Sequence, residues 1–175
     1  MDVETTIDPR FSSEAARPTP WATARDGLAG AKTYWITTVR TDGRPHATTV
    51  AGVWLDDAFH VAPGRSEQKA KNLAAGNGQV LVTTGCNGWD GLDIVIEGEA
   101  LPVTDPAQLR RFADAMAEKY DDFFGLRAVD GQLQGGAVAT DVPLAFEVRA
   151  TKAFGFAKGA PPSVRRAWRF DSSSA

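Results

Sequence analysis

Alternation of apolar and polar residues along much of the chain predicts an antiparallel β-sheet. In residues 92–99, Leu92, Ile94 and Ile96 alternate with polar side chains, the pattern of a strand with one buried and one wet face. Segments rich in β-branched and aromatic residues predict further strands at 33–40, 46–55, 58–62, 79–84 and 144–156. The first three predicted strands, 33–40, 46–55 and 58–62, form an antiparallel meander, because short turns at residues 41–45 and 56–57 separate them.

Other segments show the spacing of three and four residues that is typical of helices: 21–31, 66–75 and 105–120. Asp105-Pro106 is a favourable helix start. Residues 121–142 are rich in glycine and have no period, so they predict a long loop, and residues 163–170 have no assignable regular structure. About six antiparallel strands with two or three helices predict a mainly β (α+β) fold whose sheet closes into a barrel.

The length of 175 residues predicts one domain, which we place at residues 21–170. Residues 1–20 predict a flexible N-terminal arm, or one that packs on a partner subunit, and residues 171–175 predict a disordered tail. The single cysteine, Cys86, permits no intrachain disulfide and indicates a reducing compartment, the cytoplasm. A net charge of −3 gives no field for nucleic acid, and no apolar run approaches the roughly 18 residues of a membrane span.

The common catalytic motifs are missing from the sequence. It contains no dinucleotide-binding GxGxxG after a strand, no phosphate-binding GxxxxGK[ST], no HExxH and no GxSxG. The two histidines and one cysteine are too far apart in sequence to indicate a structural zinc site. We therefore predict no catalytic side chain and no metal, and we expect a bound cofactor to supply the chemistry while the protein positions it.

The segment PGRSEQKAKNL, residues 63–73, combines the end of a strand with the start of a helix. Ser66 is the predicted helix cap, and Lys69 and Asn72 lie in the first turns. The unpaired N–H groups of a helix start suit a phosphate, and Lys69 adds a full positive charge. The alternative is that Lys69 and Lys71 simply form a solvated helix face.

Polar groups are also dense in the strand segment His46-Ala47-Thr48-Thr49-Val50. Its side chains and backbone suit the edge of a ring system, although threonines also favour strands for purely structural reasons. Trp89 lies in a glycine-rich loop and Trp168 in the basic segment AWRF. We expect these two tryptophans either to cover a ligand or to pack against a second subunit.

Together these segments resemble a known family. The sequence TTVRTDGRPHATTVAGVWLDDAFHVA, followed in order by QKAKNL, VLVTTG, GWDGLDIVIEGEA, KAFGFAKG and WRF, is similar to the pyridoxamine 5'-phosphate oxidase-like family. It most resembles the flavin/deazaflavin oxidoreductase branch B of that family. The resemblance runs from Trp21 to Phe170.

The resemblance implies a six-stranded split β-barrel, a homodimer, and two cofactor sites at the dimer interface. Members of the family bind FMN or the deazaflavin coenzyme F420. By resemblance, Lys69 matches the phosphate-binding lysine. Together with the arguments above, the predicted cofactor-binding residues are His46, Thr48, Thr49, Val50, Arg65, Ser66, Lys69, Asn72, Trp89, Trp168 and Arg169.

Three positions near the presumed phosphate site depart from the family pattern. Ala62 stands where many relatives carry serine or threonine, and Gln68 where they carry arginine. Glu67 adds a negative charge beside the presumed phosphate site, which Arg65 partly compensates.

The leading functional prediction is an F420-dependent reductase that transfers hydride to a conjugated small-molecule acceptor. One alternative is an FMN-dependent oxidase or reductase on the same barrel. The other is a cofactor-binding protein without turnover, which the three departures keep open.

Overall fold

The structure is a computed structural model that describes residues 3–12, 17–84, 88–137, 140–158 and 164–170. Its strands are β1 (Val3–Ile7), β2 (Tyr34–Val39), β3 (Pro45–Val50), β4 (Val53–Leu55), β5 (Ala58–Val61), β6 (Gln79–Thr84), β7 (Gly91–Pro102), β8 (Arg127–Val129), β9 (Gln132–Gln134), β10 (Phe146–Lys158) and β11 (Val164–Phe170). Its α-helices are α1 (Trp21–Gly30), α2 (Gln68–Ala74) and α3 (Pro106–Lys119), and a 3₁₀ turn spans Pro9–Phe11. Cys86 and the tail at residues 171–175 lie outside the described residues.

The main sheet is antiparallel and has the strand order β1-β11-β10-β7-β6-β2-β3. Strand β10 organises it, because one edge of β10 pairs with β7 along most of its length. The other edge is divided: Phe146–Arg149 pair with β5, and Lys152–Ala157 pair with β11. A register shift between Ala150 and Lys152 marks the division. This arrangement confirms the predicted mainly β fold and is consistent with a split barrel with flanking helices.

The predicted strand at residues 46–55 is two strands, β3 and β4, separated by Ala51 and Gly52. A Cβ on Gly52 would lie 2.3 Å from Cζ of Phe59, so the chain passes too close to that ring to carry a side chain. The break positions Ala51 and the end of β3 beside the end of α3, where the candidate site described below lies.

The predicted loop at residues 121–142 contains the hairpin β8–β9. Asp130 and Gly131 join its strands with φ values of 50° and 75°. Two consecutive positive φ values are what a type I′ turn requires, and Asp-Gly is a favoured pair for it. The Asp-Gly pair is thus a local hairpin signal inside the predicted loop.

Both ends of the described chain form regular structure that the sequence did not predict. Val3–Ile7 form β1, which pairs with β11 in the register Val3↔Phe170 to Ile7↔Arg166. The structure thus places part of the expected flexible arm in the main sheet. β11 in turn is the segment for which the sequence indicated no regular structure.

Two hydrophobic cores fill the fold. One lies inside the barrel and includes Tyr34, Phe59, Ile96, Val148 and Trp168. The other lies between α3, the β8–β9 hairpin and β4, and it contains the predicted apolar face of α3: Leu109, Phe112, Ala113 and Met116. None of the helices among the described residues has the length and hydrophobicity needed to cross a bilayer.

Candidate functional site

The predicted phosphate-binding lysine lies at the start of α2. Lys69 is buried, with 7% of its surface exposed, and its Nζ forms an ion pair with Glu67. The residue that precedes the helix is Glu67, and not Ser66 as predicted. The predicted cap is therefore wrong by one residue, and α2 is a short helix of 7 residues.

The turn that leads into α2 uses its backbone N–H groups internally. Gly64 N–H donates to Oε1 of Glu67 at 2.7 Å, Arg65 N–H donates to the Val142 carbonyl at 2.8 Å, and Ser66 N–H donates to Oδ2 of Asp141 at 3.0 Å. The Ser66 hydroxyl also donates to Asp141. The hydrogen bonds that Asp141 accepts from Ser66 hold the pKa of Asp141 below its usual value, and the bond from the Ser66 hydroxyl has the largest effect. Ser66 therefore bonds a carboxylate of its own chain.

A groove adjoins Lys69 with a cavity volume of about 170 Å³. The end of β3 forms one wall, the segment after β5 forms the second, and apolar side chains of α3 and the following loop form the third. The lining residues are Thr49, Val50, Ala51, Val61, Ala62, Pro63, Glu67, Lys69, Met116, Phe124, Leu126, Gly136 and Ala137. The groove therefore brings together three predicted site residues, Thr49, Val50 and Lys69.

A second hollow of about 350 Å³ adjoins the groove and shares Thr49, Val50, Ala51 and Phe124 with it. Its other lining residues are Lys32, Thr33 and Tyr120. We call it the side hollow. The two spaces meet at the end of β3, so the strand end contacts both.

Strand β3 is an edge of the main sheet, since β2 is its one strand neighbour among the described residues. Edge strands expose backbone N–H and C=O groups on their outer side. These groups can bond the polar edge of a ring, as the sequence analysis expected.

The other predicted residues of this strand lie away from the groove. His46 lies near the start of β3, and its Nδ1 is 3.5 Å from a guanidinium nitrogen of Arg40. It lies about 10 Å from Thr49 at the strand rise of roughly 3.3 Å per residue. The Thr48 hydroxyl lies 3.4 Å from the Thr49 carbonyl. Neither His46 nor Thr48 lines the groove.

The side chain of Asn72, another predicted site residue, is buried and bonded within the chain. Its side chain is 2% exposed, its Nδ2 donates to the Thr38 hydroxyl at 2.8 Å, and its Oδ1 accepts from Gln68 at 2.7 Å. These bonds fasten α2 to β2. Gln68 is thereby part of the same contact.

Trp168, for which we expected a ligand contact or a subunit contact, lies in the barrel core of this chain. It is fully buried, its Nε1 donates to the Thr19 carbonyl at 3.1 Å, and its ring centroid lies 5.6 Å from that of Trp21. Arg169, the next residue along β11, is exposed on the opposite face, away from the groove lining.

Trp89 and Arg65 are the remaining predicted residues. Trp89 is 91% exposed and does not touch the groove within one chain. Arg65 lines a separate hollow beside Val142 and Pro143. The groove of a single chain therefore does not bring either residue to Lys69.

Beside the side hollow lies a polar network that the sequence analysis missed. Nζ of Lys119 donates to the Tyr34 hydroxyl at 2.6 Å and to the Gly52 carbonyl at 3.1 Å. The Tyr120 hydroxyl accepts from Gly52 N–H at 3.0 Å and donates to the Gly52 carbonyl at 2.9 Å. Burial and the nearby Lys32 ammonium lower the pKa of Lys119 to about 8. Burial raises the pKa of both tyrosines.

The helical spacing of α3 predicted that Tyr120 would be buried, but no local signal indicated that its hydroxyl meets the Gly52 backbone. Within the ranges that the structure describes, no three His, Cys, Asp or Glu side chains come together as a metal site would need.

Comparison with solved structures shows the same fold in several proteins. A conserved hypothetical protein, Rv2991, from Mycobacterium tuberculosis matches with a TM-score of 0.60 at 20% identity, over 77% of this chain and 82% of its own. PhzG from Burkholderia lata, solved with tetrahydrophenazine-1-carboxylic acid, matches with a TM-score of 0.59 at 14% identity, over 88% and 85%. A protein described as an F420 reductase matches with a TM-score of 0.53 at 21% identity, over 73% and 94%.

None of the curated proteins compared with the chain matches it significantly in sequence. The family model described as pyridoxamine 5'-phosphate oxidase, however, matches residues 21–141, which is more than half of the chain. That range contains the groove's β3 wall, Glu67 and Lys69, and all of α3. The chain therefore belongs to the pyridoxamine 5'-phosphate oxidase family.

Proposed function

We propose that this protein is a reductase that holds the deazaflavin coenzyme F420 in the groove and passes hydride to a conjugated small-molecule acceptor. The observation that carries the proposal is the meeting of an edge strand, apolar walls and one buried lysine in a single groove. When bound, the cofactor supplies the hydride. The chain's own residues bind and orient it.

The groove suits each part of such a cofactor differently. The outer backbone groups of β3 suit the polar edge of the ring, and Val50, Met116, Phe124 and Leu126 suit its faces. Lys69 is the charged group that suits a phosphate. Positioning by such contacts supplies much of the rate enhancement of a transfer between two bound molecules, so a dedicated acid or base is not required.

A second copy of the chain would complete this site. The groove's cavity, about 170 Å³, is smaller than the roughly 300–1,000 Å³ typical of small-molecule pockets. Trp35 and Leu81 are 47% and 37% exposed on the outer face of the sheet, and Trp35 lies directly opposite Thr49 of the groove. A homodimer that covers this apolar face would therefore also cover the groove, and Trp89 is a candidate contribution from the partner.

FMN is the second candidate cofactor, because the family model is described as pyridoxamine 5'-phosphate oxidase. The F420 reductase among the structural matches favours F420, since this chain covers 94% of that protein. Both cofactors carry a phosphate and a tricyclic ring, so the contacts proposed for the groove suit either one. The cytoplasmic location stays a prediction from the single cysteine.

The test is a titration of the purified protein with reduced F420 and, separately, with FMN. Quenching of the protein's tryptophan fluorescence reports binding. We expect F420 to bind, and Lys69→Met to weaken binding about tenfold or more, since a hydrogen bond to a charged group is worth about 1.5–3 kcal/mol. Lys71→Met is the matched control: Lys71 is exposed on the same helix and does not line the groove.

Tight binding of FMN without binding of F420 would move the proposal to the FMN-dependent alternative. If Lys69→Met binds both cofactors as the wild type does, the phosphate assignment is wrong. Sedimentation of the protein as a monomer in the presence of cofactor would contradict the dimeric site.

A further inference from the structure

We infer that the Glu67 carboxylate competes with the phosphate of a ligand for the same two donors, and thereby sets how strongly the groove holds phosphate. The inference rests on the proposed function, because it concerns the anionic end of the groove assigned above.

Each oxygen of the Glu67 carboxylate takes a donor that suits a phosphate. Oε1 accepts the Gly64 N–H at 2.7 Å, and Oε2 pairs with Nζ of Lys69. A backbone N–H in a turn beside a lysine ammonium is a typical pair of phosphate donors. The carboxylate thus stands where two phosphate oxygens would.

The N–H groups of Arg65 and Ser66 already bond acceptors within the chain. Ser66 bonds Asp141 through both its N–H and its hydroxyl, and the Arg65 N–H bonds the Val142 carbonyl. A Cβ on Gly64 would lie 2.3 Å from Oδ2 of Asp141, so the second carboxylate is packed directly against the turn. A phosphate that takes the Gly64 N–H together with the Lys69 ammonium therefore has to displace Glu67.

The structure also shows which member of the ion pair can move. The Glu67 side chain is 38% exposed, whereas that of Lys69 is 9% exposed. Rotation of Glu67 toward solvent would free the ammonium and the Gly64 N–H without disturbing the helix. The cost of that displacement lowers the affinity for every ligand that carries a phosphate, and leaves a ligand without one unaffected.

Glu67→Gln isolates this effect, because glutamine keeps an acceptor for the Gly64 N–H and loses the charge. We expect Glu67→Gln to bind inorganic pyrophosphate and FMN about tenfold more tightly than the wild type, the gain from removing one partly screened like charge. Riboflavin, which has the same ring without the phosphate, should bind within about twofold of the wild-type affinity on the same argument. Glu67→Ala, as a second variant, should show the same selectivity.

Two further variants serve as controls, and thermal unfolding confirms that each protein is folded. Glu99→Gln changes the net charge equally on an exposed residue of β7 that does not line the groove. Glu67→Gln combined with Lys69→Met removes the ammonium that the phosphate is expected to reach. Isothermal titration calorimetry with pyrophosphate, and fluorescence with FMN and riboflavin, measure the affinities.

The inference is supported if Glu67→Gln binds pyrophosphate and FMN more tightly than the wild type does. Glu99→Gln should not share this gain in affinity, and the added Lys69→Met substitution should abolish it. Equal affinity of Glu67→Gln and wild type for pyrophosphate, or an equal gain in Glu99→Gln, overturns it. If no variant binds F420, FMN or riboflavin, the proposed function fails on its own, while the pyrophosphate titration still decides the role of Glu67.

Discussion

Replacing Trp168 by alanine distinguishes a core residue from a ligand contact. From the segment AWRF we expected Trp168 either to cover a ligand or to pack against a second subunit, whereas the structure buries its side chain completely in the barrel core. The two roles predict opposite results. A core tryptophan, when removed, lowers the free energy of unfolding, and a ligand-covering tryptophan changes binding with little effect on stability.

The magnitude follows from the contacts of the indole. Its Cη2 would lie 2.4 Å from a Cβ placed on Gly155, its centroid lies 5.6 Å from that of Trp21, and its N–H donates to the Thr19 carbonyl at 3.1 Å. Truncation of a buried Phe or Trp to Ala costs about 3–5 kcal/mol, so we expect a loss of about 4 kcal/mol. For a chain of this size that loss lowers the Tm by about 8–16 °C.

Trp89 provides the matched control, because it is the same residue type at 91% exposure. We expect Trp89→Ala to change the free energy of unfolding by no more than about 0.5 kcal/mol. Urea unfolding followed by circular dichroism measures both variants, and calorimetry gives the Tm. A Trp168→Ala protein with a wild-type Tm and lost cofactor binding would refute the core assignment.

Three further predictions concern the polar network beside the side hollow and the break between β3 and β4. Burial lowers the pKa of Lys119 to about 8, so between pH 8 and about 10 the folded chain binds fewer protons than the unfolded chain, whose lysine titrates near 10.4. The free energy of unfolding should therefore rise between pH 8 and about 10, by about 1 kcal/mol because solvent partly screens the group. Urea titrations at several pH values measure the rise. If Lys119→Met shows the same rise, Lys119 is not its source. Gly52→Ala places a Cβ 2.3 Å from Cζ of Phe59. This clash should lower the free energy of unfolding by about 1–3 kcal/mol or more. Gly30→Ala, with open space around its Cβ, is its control, and equal urea midpoints would contradict the close approach. Tyr120→Phe leaves the Gly52 N–H without its hydroxyl partner and should lower the free energy of unfolding by about 1–3 kcal/mol. Unchanged hydrogen exchange at the Gly52 amide would count against the bond.

Periodic segments were predicted from the sequence because their pattern is local. The alternation in residues 92–99 lies within β7, and the spacing after Asp105 gave α3 with its buried face. The segments at the two ends of the chain lacked such a pattern. β1 is five residues long, and it is fixed by pairing with β11 at the other end of the sequence, a partner that no local signal identifies.

The candidate site was predicted in part for the same reason. Lys69, Thr49 and Val50 were indicated by the helix start and the strand, and the groove brings all three together. The burial of Trp168 depends on Gly155 and Trp21, which are distant in sequence. The hydrogen bonds of Asn72 likewise depend on Thr38 of β2, so its structural role could not be seen in the segment QKAKNL alone.

The pairing of β1 with β11 has a consequence for the behaviour of shortened chains. β1 contacts β11 along the register Val3↔Phe170 to Ile7↔Arg166, on the side of β11 that β10 does not occupy. Without β1, the edge of the sheet would move to β11, whose amide and carbonyl groups on that side would lose their partners. Truncation of the first residues would thus unpair the strand that carries Trp168, so tags or truncations placed there bear on the stability of the preparation.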